Sequence, residues 1–238
     1  MKDVEMTFEE HLAEMRNRLL VCIFSFAALF VLFYTKADEI ISWLVALSKS
    51  MKYELIYISP QEVLIQELRI VAVISIICTI PIIIYEVVRF VSPAFEQTST
   101  VFSIVCILIF VTFCCGSFFS YKILVPFIYE TLYEIGSSTG IRAQVTLSNF
   151  VSLFLTFIFC IGMVFEMPLI SVGLSKTRLL TFKMMQKGWK PAIVVIFVIA
   201  AFITPPDIVS QCLVGLPMVC LYFVSMILVK LFGVKNET

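Results

Sequence analysis

Six long stretches of this chain contain no Asp, Glu, Lys or Arg, which makes a lipid bilayer the natural surroundings of most of its residues. They span residues 19–35, 70–85, 97–121, 143–165, 191–206 and 208–229. A transmembrane α-helix needs about 20 consecutive apolar residues, so each stretch is a candidate span. Hydrophobic residues make up 61% of the 238 residues and charged residues 14%, against about 45–50% and about 25% in soluble domains. We therefore predict an all-α, polytopic membrane protein with six transmembrane helices.

The charge balance and the cysteine positions exclude several classes of function. Seventeen Lys and Arg residues balance seventeen Asp and Glu residues without a basic tract, so no nucleic-acid partner is expected. All eight cysteines lie in the apolar stretches and His11 is the only histidine, so neither a metal site nor a cofactor is expected. The histidine precedes the first span, and the spans hold no pair of aspartates, so we do not expect an enzyme.

The distribution of Lys and Arg predicts the orientation of the spans. Eleven basic residues fall on the side that holds both termini and five on the opposite side, with Arg69 left out because it lies at a boundary. Cytoplasmic loops are enriched in basic residues, so both termini are predicted to be cytoplasmic. The expected single membrane domain, residues 1–238, has a cytoplasmic amphipathic helix at 1–18, outer loops at 36–68 and 122–147, and a cytoplasmic loop at 175–190.

Local signals predict where the second spanning helix begins and what precedes it. Ser59, Pro60 and Glu62 follow the pattern of a helix start, with a capping hydroxyl, proline at the first helical position and an acid three residues after the cap. The helix is expected to run to Val88, which makes it longer than the hydrocarbon core. Residues 53–58 precede it and are predicted to be extended.

The last two spanning helices are predicted to be short. The fifth charge-free stretch offers only the residues from Pro191 to Thr204 before two further prolines stop it, which is about 21 Å of helix. Asp207 is placed to cap the sixth helix, and Pro217 is expected to interrupt it. Such a pair is either a buried re-entrant hairpin or a sign that the membrane is locally thinned.

Polar residues inside the spans are candidate functional residues. Glu166 is the only charge in residues 143–175, and a carboxylate near the bilayer centre costs about 2.5 to 3.5 kcal/mol on insertion scales. Its carboxyl either bonds to a neighbouring helix or serves a polar cavity or a partner. Thr204 and Gln211 add polar groups near the short hairpin, where they either join helices or share that function.

The N-terminal segment is predicted to be an amphipathic helix that leads into the first span. Its apolar side chains recur at helical spacing at Phe8, Leu12, Met15 and Leu19. Glu10, Glu14 and Arg18 follow one another at i, i+4 spacing on the polar flank. This flank is either an ordinary solvated face or an acidic surface that receives a basic ligand.

Four separated segments together carry a family resemblance. They are HLAEMRNRLL at 11–20, PIIIY leading through Phe90 to SPAF at 81–95, FEMP at 165–168, and TPPD with SQ at 204–211, followed by Pro217 and Tyr222. In this order they resemble TatC, the polytopic subunit of the twin-arginine protein translocase. The resemblance covers nearly the whole chain. It implies six helices in a concave, glove-like arrangement and a receptor for folded precursor proteins whose signal peptides carry paired arginines.

The resemblance also implies a signal-peptide site on the cytoplasmic side. Glu14 matches the first carboxylate that receives the arginine pair, and Arg16 and Phe90 stand in the motifs around it. The family places a second acidic residue in the loop between helices two and three. That position is Ser99 here, and Glu96, about one turn earlier, is the nearest acid.

The intramembrane polar residues are implied to serve partners. Glu166 matches the family's glutamate in helix four, and Thr204, Asp207 and Gln211 match its polar hairpin, where single-span TatA- and TatB-type proteins dock. The resemblance further implies assembly of several copies in the cytoplasmic (inner) membrane of a bacterium, with an organellar membrane as the alternative. From the residues alone, the chief alternative function is a proton-coupled secondary transporter that uses Glu166 as its proton carrier.

Overall fold

The computed structural model describes residues 8–91, 99–137, 144–204 and 207–233, and these residues are largely helical. In chain order the elements are α1 (Phe8–Tyr34), α2 (Ala37–Ser50), β1 (Glu54–Ile56), α3 (Pro60–Val91), α4 (Ser99–Phe119), a π-helical turn (Ser120–Leu124), α5 (Val125–Ser137), β2 (Gln144–Thr146), α6 (Leu147–Phe165), α7 (Met167–Lys176), α8 (Phe182–Ile203) and α9 (Ile208–Phe232).

Six helical segments within the described residues are long and apolar enough to cross a membrane. They are Leu12–Tyr34, Pro60–Val87, Ile104–Glu134, Leu147–Lys176, Phe182–Ile203 and Ile208–Phe232. The third segment joins α4 to α5 through the π-helical turn, and the fourth joins α6 to α7. The six predicted spans are therefore confirmed.

The chain divides into two compact units, and the first comprises Met1–Ala46 and Tyr57–Phe110. In this unit α1 packs along α3. α3 begins at Pro60, as predicted, and carries a buried stripe of small residues at four-residue spacing, Val71, Ser75 and Thr79. The two hydroxyls of the stripe donate to carbonyls one turn earlier in α3, at 2.7 and 2.6 Å, so their burial leaves no unsatisfied donor.

The second unit comprises Leu47–Ile56 and Val111–Thr238 and contains a short parallel pair of strands. Leu55 of β1 pairs with Val145 of β2, which confirms the extended conformation predicted for this part of the chain. Tyr53, just before β1, is buried, and its hydroxyl donates to the carbonyl of Tyr129 at 3.0 Å. Burial raises the pKa of the Tyr53 phenol, so it stays neutral and can keep donating.

Two helices of the second unit pack against α9. This helix contacts both α7 and α8. The hydroxyl of Tyr222 on α9 donates to the carbonyl of Met185 on α8 at 2.8 Å, and both residues are buried. A buried carbonyl in the first turns of α8 therefore gains a partner from the neighbouring helix.

The prediction that the fifth and sixth helices are short was wrong. α8 has 22 residues and begins at Phe182, so it is about 33 Å long, and α9 has 25 residues and continues through Pro217. The helix does not start at Pro191, because the preceding segment holds three lysines, and lysine is a good helix former. The side chain of Thr181 caps this N-terminus by accepting a hydrogen bond from the backbone N–H of Met184 at 3.2 Å.

The segments predicted as loops contain secondary structure of their own. Residues 36–68 hold α2, β1 and the first turns of α3, and residues 122–147 hold most of the π-helical turn, α5 and β2. The predicted cytoplasmic loop 175–190 holds the first turns of α8. At the N-terminus, α1 runs from Phe8 to Tyr34 without a break at residue 18, so the amphipathic segment and the first span form one helix.

Candidate functional site

The first candidate site lies between α1 and α3 in the first unit. One helical turn separates Glu14 from Arg18, and Nε of Arg18 donates to Oε1 of Glu14 at 3.0 Å, while Nη2 of Arg18 donates to the same oxygen. This confirms the i, i+4 neighbourhood expected from the sequence. Nη1 of Arg18 donates to Oε2 of Glu86 on α3 at 3.0 Å. We refer to Glu14, Arg18 and Glu86 as the arginine cluster.

The side chains of the arginine cluster are partly buried, and an apolar cavity lies next to them. The side chains of Glu14, Arg18 and Glu86 are 27%, 16% and 13% exposed, so their charges interact more strongly than those of a fully exposed pair. The cavity has a volume of about 250 Å³, and its apolar wall includes Met15 and Val87. One guanidinium between two carboxylates leaves the three residues with one net negative charge.

Of the other residues predicted for the signal-peptide site, only the side chain of Arg16 is described by the structure. Arg16 is exposed. Phe90 lies in the last turn of α3 and Ser99 is the first residue of α4, but the side chains of both fall outside the description, and Glu96 lies outside the described residues altogether. The roles of these four residues stay predictions.

Glu86 is the member of the arginine cluster that sequence reasoning missed. It directly follows the apolar stretch 70–85, so it is the first charge on α3 after a run of sixteen uncharged residues. A charge at the end of such a run is a sequence signal that marks Glu86 as a candidate functional residue. Its partner Arg18 is 68 residues away in the chain, and nothing in the local spacing indicates that the two residues meet.

The second candidate site surrounds Glu166 in the second unit. Glu166 separates α6 from α7, and Pro168 follows two residues later, where its missing N–H cannot continue the hydrogen-bond ladder of α6. The carboxyl of Glu166 is buried, and its Oε1 accepts a hydrogen bond from the hydroxyl of Thr112 on α4 at 2.7 Å. Thr112 was not predicted from the sequence. Glu166 therefore does bond to a neighbouring helix, which was one of the two expectations.

That bond satisfies only half of the Glu166 carboxyl. Its second oxygen, Oε2, is buried and has no hydrogen-bond partner among the residues that the structure describes. A buried acceptor without a donor is unfavourable by about 1 to 3 kcal/mol. The site can therefore accept one further donor, such as a proton, a water molecule or a side chain of another protein.

The predicted polar hairpin lies at the ends of α8 and α9. The hydroxyl of Thr204 donates to the carbonyl of Ala200 at 2.9 Å, and Oδ1 of Asp207 accepts from the backbone N–H of Ser210 at 2.7 Å, which confirms Asp207 as the cap of α9. Nε2 of Gln211 donates to the carbonyl of Phe197 on α8 at 2.9 Å. These three predicted residues thus meet at one hairpin, where each stabilises a helix end or a helix pair.

Unsatisfied groups also occur at this hairpin. Oδ2 of Asp207 and the hydroxyl of Ser210 are buried and have no partner within the described part of the chain. Glu166 thus bonds to α4, whereas the hairpin residues bond within α8 and α9 and between them.

Comparison with known proteins agrees with the motifs. The family model for the Sec-independent protein translocase protein TatC matches residues 10–217. The TatC protein of Helicobacter pylori strain J99 is 34% identical over 226 residues, which cover 93% of this chain and 88% of the relative. The TatCy protein of Bacillus subtilis strain 168 is 30% identical, with 97% and 91% covered.

A solved structure agrees as well. The crystal structure of a twin-arginine translocase receptor, TatC, superposes with a TM-score of 0.81 at 30% identity and covers 93% of this chain and 99% of its own. These matches identify a protein translocase subunit, so the alternative interpretation of the chain as a proton-coupled transporter is set aside. The chain belongs to the TatC family of Sec-independent protein translocases and is a multi-pass membrane component of twin-arginine translocation.

Proposed function

We propose that this chain is the receptor subunit of its translocase and binds the twin-arginine signal peptides of folded precursor proteins. The observation that carries the proposal is Glu14, whose Oε1 accepts two hydrogen bonds from a guanidinium in the structure. An incoming arginine presents the same planar group, and guanidinium–carboxylate bonds are among the stronger ones available to side chains. The solved relative is itself described as a twin-arginine translocase receptor.

Other residues of the proposed receptor site follow from the motifs. Arg16 and Phe90 stand in the two segments that resemble the family around its signal-peptide site. At the family's second acidic position this chain has Ser99, which carries no charge with which to meet an arginine. Glu96 is the nearest acid in that segment, and we keep it as a candidate.

We further propose that the intramembrane polar residues receive the single-span TatA- and TatB-type partners. Glu166 and Asp207 each hold a buried carboxylate oxygen without a partner among the described residues, and Thr204 and Gln211 border the second of these. In lipid, a polar side chain of a partner helix would gain such an acceptor where no water competes for it. Several copies of the chain, together with these partners, would carry the precursor across the membrane.

The proposed location is the cytoplasmic membrane of a bacterium, with both termini in the cytoplasm. The excess of Lys and Arg on the side of the termini supports this orientation. It puts the arginine cluster, near the start of α1, close to the side from which precursors arrive.

Substitution of Glu14 tests the receptor function. Glu14→Gln keeps the size of the side chain and removes the charge, so we expect the affinity for a twin-arginine signal peptide to fall about tenfold or more, as loss of a charge-assisted hydrogen bond predicts. Binding of a fluorescent signal peptide to the protein in nanodiscs measures this. Glu39→Gln, which removes an exposed carboxylate from α2, is the matched control and should bind normally. Equal affinities of the Glu14 variant and the parent would reject the proposal.

A further inference from the structure

Two carboxylates from distant parts of the chain share one guanidinium in the arginine cluster. Glu14 accepts from Nε and Nη2 of Arg18, and Glu86 accepts from Nη1. The carbonyl of Glu86 lies 3.5 Å from the same Nη1. The fold of the first unit thus builds a site that holds a guanidinium from two sides, and the guanidinium that occupies it belongs to the chain itself.

The electrostatics of the cluster favour a second cation. Its two carboxylates carry two negative charges and Arg18 carries one positive charge, so one net negative charge attracts another guanidinium, which then competes with Arg18 for the two carboxylates. All three side chains are less than one third exposed. Opposite charges on partly buried side chains attract each other more strongly than they would in bulk water. Arginine suits the site better than lysine, because its five donors in a fixed plane can bond to two acceptors at once.

Space for an incoming side chain lies directly beside the cluster. The cavity of about 250 Å³ is lined by Arg18 and Glu86 themselves and by apolar side chains that include Leu19 and Ile83. Signal peptides combine a basic segment with an apolar segment that follows it. The apolar wall suits the methylene stem of an arginine or the apolar residue that follows the arginine pair.

We propose that Glu86 is the second carboxylate of the signal-peptide site, and that Arg18 occupies Glu14 and Glu86 until a guanidinium of the signal peptide displaces it. This inference rests on the receptor function proposed above. It assigns to a residue of α3 the acidic role that Ser99 lacks. It also gives Arg18 a role as an internal competitor that keeps the two carboxylates paired while no precursor is bound.

Three variants separate this role from a purely structural ion pair. Glu86→Gln should lower the affinity for a twin-arginine signal peptide about tenfold or more. Arg18→Met removes the competitor and should raise that affinity. In the Arg18→Met background, Glu86→Gln should still weaken binding, because Glu86 touches the peptide directly. Glu67→Gln, on the same helix but about 28 Å from Glu86, is the matched control and should bind like the parent.

Binding to nanodisc-embedded protein is measured with three fluorescent peptides, which carry the arginine pair, a lysine pair, and one arginine with one glutamine. Loss of affinity in Glu86→Gln should be large for the paired-arginine peptide and small for at least one of the other two. Thermal unfolding of each variant identifies any change in folding. If Arg18→Met does not fold, Arg18→Lys replaces it, since one ammonium bridges two carboxylates less well than a guanidinium.

The outcomes distinguish the inference from the receptor function on which it rests. If Glu14→Gln weakens binding and Glu86→Gln does not, the receptor function stands and the role of Glu86 is refuted. If Glu86→Gln weakens binding only while Arg18 is present, Glu86 acts by positioning Arg18, and the direct contact is refuted. If neither carboxylate affects binding, both proposals fail.

Discussion

Glu166 shows what a single carboxyl can do inside a membrane protein. One of its oxygens accepts a hydrogen bond from Thr112 and the other is buried without a partner among the described residues. A side chain kept only to join α4 to α6 would not need the second oxygen, whose desolvation is unfavourable. The unpaired oxygen is the feature that favours a functional role over a structural one.

This asymmetry leads to a prediction about two substitutions. Glu166→Ala removes a buried acceptor, so the variant should insert and accumulate like the parent, but transport and crosslinks of the TatA- or TatB-type helix near residues 166, 204 and 211 should decrease. Thr112→Val removes the hydroxyl that donates to the Glu166 carboxyl and should lower stability by about 1 to 3 kcal/mol. Immunoblots of membranes measure accumulation, a transport assay measures translocation, and thermal unfolding measures stability.

Thr131→Val is the control for the threonine substitution, because the Thr131 hydroxyl is bonded to a carbonyl of its own helix and is exposed. It should change stability little. Failure of Glu166→Ala to accumulate would mean that the carboxyl mainly holds helices together. Normal accumulation with normal transport would remove Glu166 from the functional site.

At the scale of the elements, two glycines set how closely α4 and α6 approach each other. A Cβ added to Gly162 on α6 would lie 2.7 Å from the ring of Phe113 and from the hydroxyl of Ser117, both on α4. A Cβ added to Gly116 on α4 would lie 2.7 Å from the side chain of Phe165. Small residues at such positions let helices pack closely in membranes, where dispersion contacts replace much of the hydrophobic driving force.

The effect of a glycine-to-alanine substitution on stability should therefore depend on whether the added Cβ meets a neighbouring helix. Gly162→Ala forces Phe113 or Ser117 to move and should destabilise the protein by about 1 to 3 kcal/mol. Gly173→Ala, on α7, meets nothing within 4 Å and should be neutral or stabilise by up to about 1 kcal/mol through helix propensity. Thermal unfolding in the same detergent compares them, and an equal effect of both variants would contradict the close packing of α4 and α6.

The sequence predicted the helices better than it predicted the side-chain contacts between them. Charge-free length identified all six spans. Pro60 at the first position of α3 and the cap residue Asp207 identified two helix starts. Both signals are local. The length of α8 was missed, since charge marks where a helix leaves lipid and not where it ends. Glu86 and Thr112 were missed because each meets its partner across 54 residues or more of chain, which no periodicity records.

At the scale of the whole molecule, orientation in the membrane is the prediction that most of the functional account depends on. Tags at both termini should be protected from protease in right-side-out spheroplasts, and a tag between Lys49 and Lys52 should be cleaved, because basic residues favour the cytoplasmic side by eleven to five. Cleavage at either terminus in intact spheroplasts would overturn the orientation, and with it the placement of Glu14 on the side of incoming precursors.

The central claim is that the start of α1 receives an arginine pair, and a photo-crosslinker in place of Met15 tests it most directly. Met15 is exposed, lines the cavity beside the arginine cluster, and can be replaced while Glu14 is kept. We predict crosslinks to a signal peptide with paired arginines, far fewer to one with paired lysines, and few to either from a crosslinker at Leu32, about 25 Å further along the same helix. Equal crosslinking of both peptides at residue 15, or none, would contradict the account.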